Sequence, residues 1–209
     1  MKRLYWCIAL FIFGMVLGTL VAPPIIGSMK PLANGTTMLT WDGPEKVTTE
    51  IEVDGAKKDA HVTVRGQGRE FTDEISRYTA ETSRGLVFLF PYEPDRRSFR
   101  FYDPVTETQG TVDYVGPGEV ADLRTYVFHG TLDGQERTFE VERKTGTLLR
   151  ATWETAEGMY TLDSATEQSL IDAATHKTRI LKLLQILTWL GKFIAFIAAV
   201  TGVVFFVRR

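Results

Sequence analysis

The chain of 209 residues has room for one ordinary soluble domain, or for a smaller domain with membrane segments. Its formal net charge of −2 hides a segregation, because all 26 acidic residues lie between Asp42 and Asp172, whereas six of the 24 basic residues lie near the two ends. The middle segment, 23–179, therefore carries 18 basic and 26 acidic residues, a net charge of −8. This acidity excludes nucleic acid as an expected partner, because nucleic-acid binding needs an excess of Lys and Arg.

The first apolar segment runs from Leu4 to Ala22 and contains 19 uncharged residues. As a helix it measures about 28 Å, enough to cross a hydrocarbon core of roughly 30 Å. We predict a membrane helix over 4–22, ended by Pro23-Pro24. A cleaved signal peptide is the alternative, but the run is long and Pro23 follows the best cleavage candidate, Ala22.

The second apolar segment reaches Val207 and is interrupted by Lys182, Gln185 and Lys192. An ionised residue in a membrane helix is a candidate for a transport role. Lys192, however, lies about 22 Å of helix from Val207, in the outer quarter of a ~30 Å core. Its long side chain can then reach the outer interface beside Trp189, so we predict both residues as interface anchors over a span of 186–207.

Basic residues flank the two predicted spans on one side of the membrane. These are Lys2-Arg3 before the first span and Arg208-Arg209 after the second. The positive-inside rule then puts both termini in the cytoplasm. We expect a plasma-membrane protein whose central domain is extracytoplasmic.

Small residues recur at four-residue spacing in both spans. Gly14 and Gly18 form one ridge, and Gly191, Ala195 and Ala199 form another. Such ridges let helices approach closely in lipid, so the two spans could pair with each other or with neighbours. The alternative is that Gly and Ala are simply common in membrane helices.

Alternating apolar and polar residues dominate the middle of the chain and predict strands. We expect nine or ten antiparallel strands in one curved or sandwiched sheet within a domain over 25–163. The clearest segments are 47–55, 61–66, 77–81, 111–116, 125–130 and a hairpin over 137–154 that turns at Lys144-Thr145-Gly146. Asp54-Gly55, Asp133-Gly134 and the pair Gly66 and Gly68 are further turn signals.

The pattern becomes helical after the strands. Ser164 and Glu167 have the spacing of a capping box, and apolar residues follow at helical spacing with no Pro or Gly before Gly191. One long helix is therefore predicted from about Ala165 into the membrane. Its first part, an amphipathic stalk over 164–185, would be stiff.

The sequence offers no constellation for catalysis, for a cofactor or for a metal. Acidic pairs such as Glu50/Glu52 and Asp73/Glu74 fit a solvated strand face. An aromatic cluster is more distinctive, and it either fills the core or lines an apolar ligand cavity. The cavity candidates are Phe88, Phe90, Phe101 and Phe128.

One stretch is similar to a known family. From Gly85 to His129 the motifs GLVFLFP, YDP and a later YVG…TYVF occur in order, followed by the hairpin FEVERKTGTLL and a helix that enters a membrane span. This order resembles the actinobacterial DUF3068 family, also labelled porin PorA. The resemblance implies two membrane spans and an extracytoplasmic domain, and it brings no catalytic residues.

Two functions follow as expectations. The first is a non-enzymatic envelope protein whose outer domain binds a protein, lipid or glycan, for instance as an accessory subunit of a membrane complex. The second is an oligomeric porin or channel, as the family label suggests. In either case the expected partners are membrane lipid and other envelope proteins or further copies of the chain.

Overall fold

A computed structural model describes residues 2–56 and 59–207. The chain divides into two compact units, one with the residues up to Met29 and from Thr178 onward, the other with Lys30–Lys177. The charged groups that predict the orientation lie outside the described residues, namely the side chains of Lys2-Arg3 and all of Arg208-Arg209.

The N-terminal apolar segment is one continuous helical run. It consists of α1 (Lys2–Met15), a π-helical stretch (Val16–Val21) and α2 (Ala22–Ser28). The prediction that Pro23-Pro24 ends the helix is therefore wrong. The prolines occupy the first positions of α2, where a missing backbone N–H costs little, and the wider π-helical turn precedes them.

The C-terminal segment is a single helix, α3 (Ser164–Val207), of 44 residues. This confirms the predicted long helix. Its N-cap is Asp163 rather than Ser164, because Asp163 Oδ1 accepts a hydrogen bond from Thr166 N at 2.8 Å. The predicted capping box does not form, since the Glu167 carboxylate binds Arg150 instead.

In the part of the chain that the structure describes, two helical segments are long and apolar enough to cross a membrane. They are Tyr5–Ser28 and α3, judged by length and composition alone. Both belong to the predicted architecture, in which helices flank a mainly β domain.

The described residues of the β-structured unit form twelve strands, two more than the upper expectation of ten. The strands are Gly35–Asp42 (β1), Val47–Asp54 (β2), Asp59–Gly66 (β3), Arg69–Ser76 (β4), Glu81–Thr82 (β5), Gly85–Leu86 (β6), Phe99–Asp103 (β7), Thr108–Val120 (β8), Leu123–Leu132 (β9), Gln135–Glu142 (β10), Leu148–Thr155 (β11) and Gly158–Leu162 (β12).

All twelve strands form one curved sheet in the order β4-β3-β2-β1-β12-β11-β10-β9-β8-β7-β6-β5. The pairings are antiparallel except for the parallel contact of β6 with β7. The first and last strands join two meanders through Trp41↔Leu162 and Asp42↔Thr161. The sheet is nearly closed, with β4 and β5 as its two edges, and we call it the barrel.

The predicted turns have the backbone that their residues favour. Asp133 and Gly134 both have positive φ between β9 and β10, and Gln67-Gly68 does the same between β3 and β4. These are two-residue hairpins that match the twist of the flanking strands. Gly146, with φ of 68°, lies in the predicted turn between β10 and β11.

The predicted strand over 77–81 is wrong. Residues 77–79 form a turn, and Ala80 has a φ of 56°. The cause is Arg77, whose buried guanidinium donates hydrogen bonds to the carbonyls of Leu32 and Gly55 and to the Asn34 side chain. These bonds hold the chain in a turn where alternation alone indicates a strand.

Candidate functional site

The helical unit is built on glycine contacts. A Cβ added at Gly14 would lie 2.6 Å from the Gly191 carbonyl oxygen and 2.8 Å from the Ala195 nitrogen. A Cβ at Gly191 would lie 2.7 Å from the Gly18 nitrogen. The two apolar helices therefore touch backbone to backbone, as small residues allow in lipid.

The contact surface on α3 differs from the predicted ridge at one position. Gly191, Ala195 and Ala198 are buried, whereas Ala199 is exposed. The buried residues are spaced by four and then three positions, which averages the 3.5-residue repeat of two packed helices. A constant spacing of four residues moves gradually around the helix and away from the contact. Ala199 instead lines an apolar groove of about 350 Å³ with Cys7, Phe11 and Phe206.

Three threonine side chains of the helical unit form hydrogen bonds within their own helices, whereas two of its larger polar side chains lie at the surface. The hydroxyls of Thr19, Thr188 and Thr201 each donate to the carbonyl four residues earlier in their own helix. Lys192 and Trp189, the predicted interface anchors, are both exposed on the surface of the helix pair. They belong to a stripe on α3 that also contains Lys182 and Gln185, at steps of three and four residues.

The interior of the barrel is filled with aromatic rings. Phe90 stacks on Phe128 with ring centroids 5.5 Å apart, and Phe101 stacks on Phe139 at 4.6 Å. Phe88 meets Phe101 edge to face at 5.3 Å. The four cavity candidates thus contact one another or Phe139, and all are at most 4% exposed. The structure places them in the core.

One ion pair lies inside the same core. Arg137 on β10 donates from Nη2 to Asp103 Oδ2 at 2.8 Å, and both side chains are only 2% exposed. The guanidinium also lies over the Trp153 ring, with Cζ 3.9 Å from its centroid. Burial lowers the pKa of Arg137 to about 10, and the charge of Asp103 opposes that shift.

The sequence contains a signal for this pair that strand prediction alone does not use. On β10, Arg137 is separated by two and four positions from the apolar residues Phe139 and Val141. On β7, Asp103 is two positions after Phe101. Successive side chains alternate between faces, so both charged residues fall on the inward face. Charged residues on strands are usually solvated, which is why these two escape notice.

The outer face of the barrel is charged. Arg65 on β3 forms ion pairs with Glu52 at 3.0 Å and with Glu70 at 3.4 Å. A β-barrel that spans a membrane needs an outward apolar band. Within the described residues the barrel thus has ion pairs on its outer face and packed rings in its interior, unlike a membrane-spanning barrel with an outward apolar band and a polar lumen.

Within residues 2–56 and 59–207 the structure brings together no group of three or more His, Cys, Asp or Glu that could hold a metal ion. Asp73 and Glu74 are consecutive residues of β4, an edge strand of the sheet, so their side chains point to opposite faces. Asp73 Oδ2 accepts hydrogen bonds from the nitrogen and the hydroxyl of Ser83. Asp73 therefore has a structural partner in the barrel.

Comparison with known proteins gives one finding. The profile of a family described as Porin PorA matches residues 48–161, which is more than half of the chain and falls within the barrel. No curated protein matches the chain.

Proposed function

Because this chain belongs to the porin PorA family, we propose that it is a channel-forming membrane protein whose pore is made by the helices of several copies. The family match is the observation that carries the proposal. The two apolar helices and the family together indicate a membrane protein.

The geometry of the barrel limits where a pore can run. Its interior holds buried phenylalanines in ring contact, and its outer face holds ion pairs such as Arg65–Glu52. The helical unit is the part of the chain with apolar outward surfaces. Since the two helices touch backbone to backbone at Gly14 and Gly191, one copy encloses no lumen, and the proposal requires self-association.

Conduction by a channel needs no catalytic group, so the proposal includes that the protein is not an enzyme. We also propose the orientation that the positive-inside rule favours, with both termini in the cytoplasm and the barrel outside. Protease added to intact spheroplasts is then expected to digest the barrel. Full protection of the barrel would overturn the orientation and leave the channel proposal standing.

The channel is tested with the full chain purified in mild detergent. Reconstitution into planar bilayers is expected to give discrete conductance steps, and mass measurement in detergent is expected to give several copies per particle. The matched control is an identical preparation from cells that lack the gene. A monomer without conductance over a wide voltage range would overturn the proposal, and a co-purifying protein would favour an accessory subunit instead.

A further inference from the structure

Lys192 lies deeper in the apolar unit than the sequence alone indicates. Its backbone nitrogen is 3.0 Å from the position of a Cβ on Gly18, so the two residues are at the same level in the helix pair. The first helix continues ten residues beyond Gly18 to Ser28, about 15 Å of rise, and Tyr5 lies about 20 Å on the other side. A core of ~30 Å placed anywhere within this run leaves Lys192 between about 10 and 15 Å from the outer boundary.

This depth removes the basis for a simple interface anchor. The predicted outer-quarter position was measured from Val207 along α3 alone, whereas the first helix continues through Pro23 and Pro24 to Ser28, beyond the level of Lys192. On α3 itself, nine residues separate Lys192 from Lys182, which is the next charge toward the barrel. An ammonium at this depth on a lipid-facing surface is costly, and such residues face a bundle interior or a water-filled cavity.

The position of Lys192 around the helix indicates what it faces. It is exposed on the helix pair, one residue from the buried Gly191, and Gln185 lies seven residues earlier at the equivalent position of the repeat. Polar side chains thus recur on a stripe beside the helix–helix contact.

We propose that Lys192 lines a water-filled lumen formed where several copies of the chain associate, and that it makes the lumen selective for anions. The inference rests on the proposed channel function and names its pore-facing side. A ring of Lys side chains attracts anions and repels cations in a narrow pore. Gln185 would face the same lumen one repeat nearer to the barrel end of α3.

Selectivity is tested by reversal potentials of the full chain in planar bilayers under a KCl gradient. The wild-type chain is expected to prefer chloride. In Lys192→Gln the chloride-to-potassium permeability ratio is expected to fall toward one, and in Lys192→Glu below one. The matched control, Arg179→Gln, removes the same charge from another side of α3 and is expected to keep the chloride preference.

A second measurement does not depend on conductance. In a Cys7→Ala background, Lys192→Cys in lipid vesicles is expected to react with a negatively charged, water-soluble methanethiosulfonate. Leu190→Cys, at a similar depth on another side of α3, is expected to stay unmodified. Conducting channels in which Lys192→Cys is unreactive and Lys192→Glu leaves selectivity unchanged would overturn the lumen position but not the channel. Reactivity of Lys192→Cys in a protein without conductance would overturn the channel, and with it the lumen, and would leave Lys192 as a water-exposed interface residue.

Discussion

Arg137 and Asp103 show how one charged pair fits inside an aromatic core. Asp103 also accepts hydrogen bonds from the backbone nitrogens of Val105 and Thr106, so its carboxylate is well satisfied. Arg137 is less so, because its Nε and Nη1 atoms have no hydrogen-bond partner among the described residues. The face of Trp153 lies against the guanidinium and supplies part of the missing interaction.

Removing the charge of one partner of this pair is expected to destabilise the barrel strongly. Asp103→Asn leaves a buried, charged Arg137 with no counter-ion and should lower the free energy of unfolding of the barrel by about 3–5 kcal/mol. Chemical denaturation of the full chain in detergent, followed by tryptophan fluorescence, measures the loss.

The matched control is the double variant Asp103→Leu with Arg137→Met, which removes both charges. Because no uncompensated charge remains, it should be more stable than Asp103→Asn. If the double variant were instead less stable than Asp103→Asn, the ion pair with its Trp153 contact would contribute net stability to the barrel.

At the scale of elements, α3 begins with a well-defined cap. Hydrogen bonds from the side chain and the backbone N–H of Thr166 hold the pKa of Asp163 below the usual 3.8, and Lys46 at 3.7 Å adds to this effect. Glu167 in the first turn is bound by Arg150 at 2.7 Å. The long helix is thus tied to the barrel at its first turn by both a cap and an ion pair.

Removing the cap gives a pH-dependent prediction. Because the folded pKa of Asp163 is depressed, its contribution is present above about pH 4 and is lost as the pH falls through the lower folded value. Asp163→Ala should cost about 1 kcal/mol at neutral pH. Asp163→Asn should keep most of the cap and remove the acid dependence. Thermal unfolding at pH 3 and pH 7 measures both effects, and an equal cost of Asp163→Ala at the two pH values would contradict the prediction.

The helix pair gives the second prediction at this scale. Gly14→Ile puts a branched side chain where even a Cβ would be 2.6 Å from the Gly191 oxygen, so the helices must separate. A cost of about 1–3 kcal/mol in pairing is expected. The control is Gly27→Ala, since a Cβ at Gly27 would meet nothing within 4 Å.

The readout is disulfide formation between Cys7 and Gly202→Cys, which face each other across the pair. A Cβ at Gly202 would lie 3.7 Å from the Cys7 Cβ. Cross-linking should fall sharply in Gly14→Ile and persist in Gly27→Ala. Equal cross-linking in both variants would mean that the glycine contact does not hold the helices together.

At the scale of the barrel, the gap between β4 and β5 is covered by side chains. Arg84 lies over the rings of Phe71 and Tyr102, with Cζ 5.5 and 4.7 Å from their centroids. Arg69 of β4 donates to the Val105 carbonyl at 2.9 Å. An uncovered strand edge pairs readily with other chains, and charged residues along it prevent this.

Hydrogen exchange tests this covering. The β4 amides that face the gap should exchange faster than those of β9 and β10, which have ladder partners on both sides. Arg84→Ala should accelerate β4 further, with a loss of about 0.5–1 kcal/mol in local stability. Arg100→Ala, which removes an exposed Arg from β7, should leave β4 unchanged. If both variants accelerate β4 equally, Arg84 has no special role at the gap.

Local patterns predict local structure well in this chain. Alternation predicts the hairpin of β10 and β11, and dipeptides such as Asp133-Gly134 predict two-residue turns. The short strands β5 and β6 lack such a pattern, because two residues hold no periodicity. The pairing of β1 with β12 also cannot be predicted, since the sequence of neither strand indicates which distant strand it pairs with.

The candidate site also has one part that the sequence predicts and one part that it does not. The glycines at 14, 18 and 191 are predictable because membrane helices pack on small residues. The level of Lys192 relative to the end of the first helix is not, because the first helix continues through a π-helical stretch and two prolines. Only the matched levels of Gly18 and Lys192 reveal it.

The ladder between β1 and β12 also sets an order for folding. Trp41 and Leu162, its first pair, are 121 residues apart, whereas β9 and β10 need close only a two-residue turn. Nearby hairpins form before distant strands meet, so the two meanders arise separately and join last. Strand β12 is also the last one synthesised, and β1 presents a bare edge until it arrives. A chain cut before Gly158 is therefore left as two separate meanders rather than as a smaller barrel.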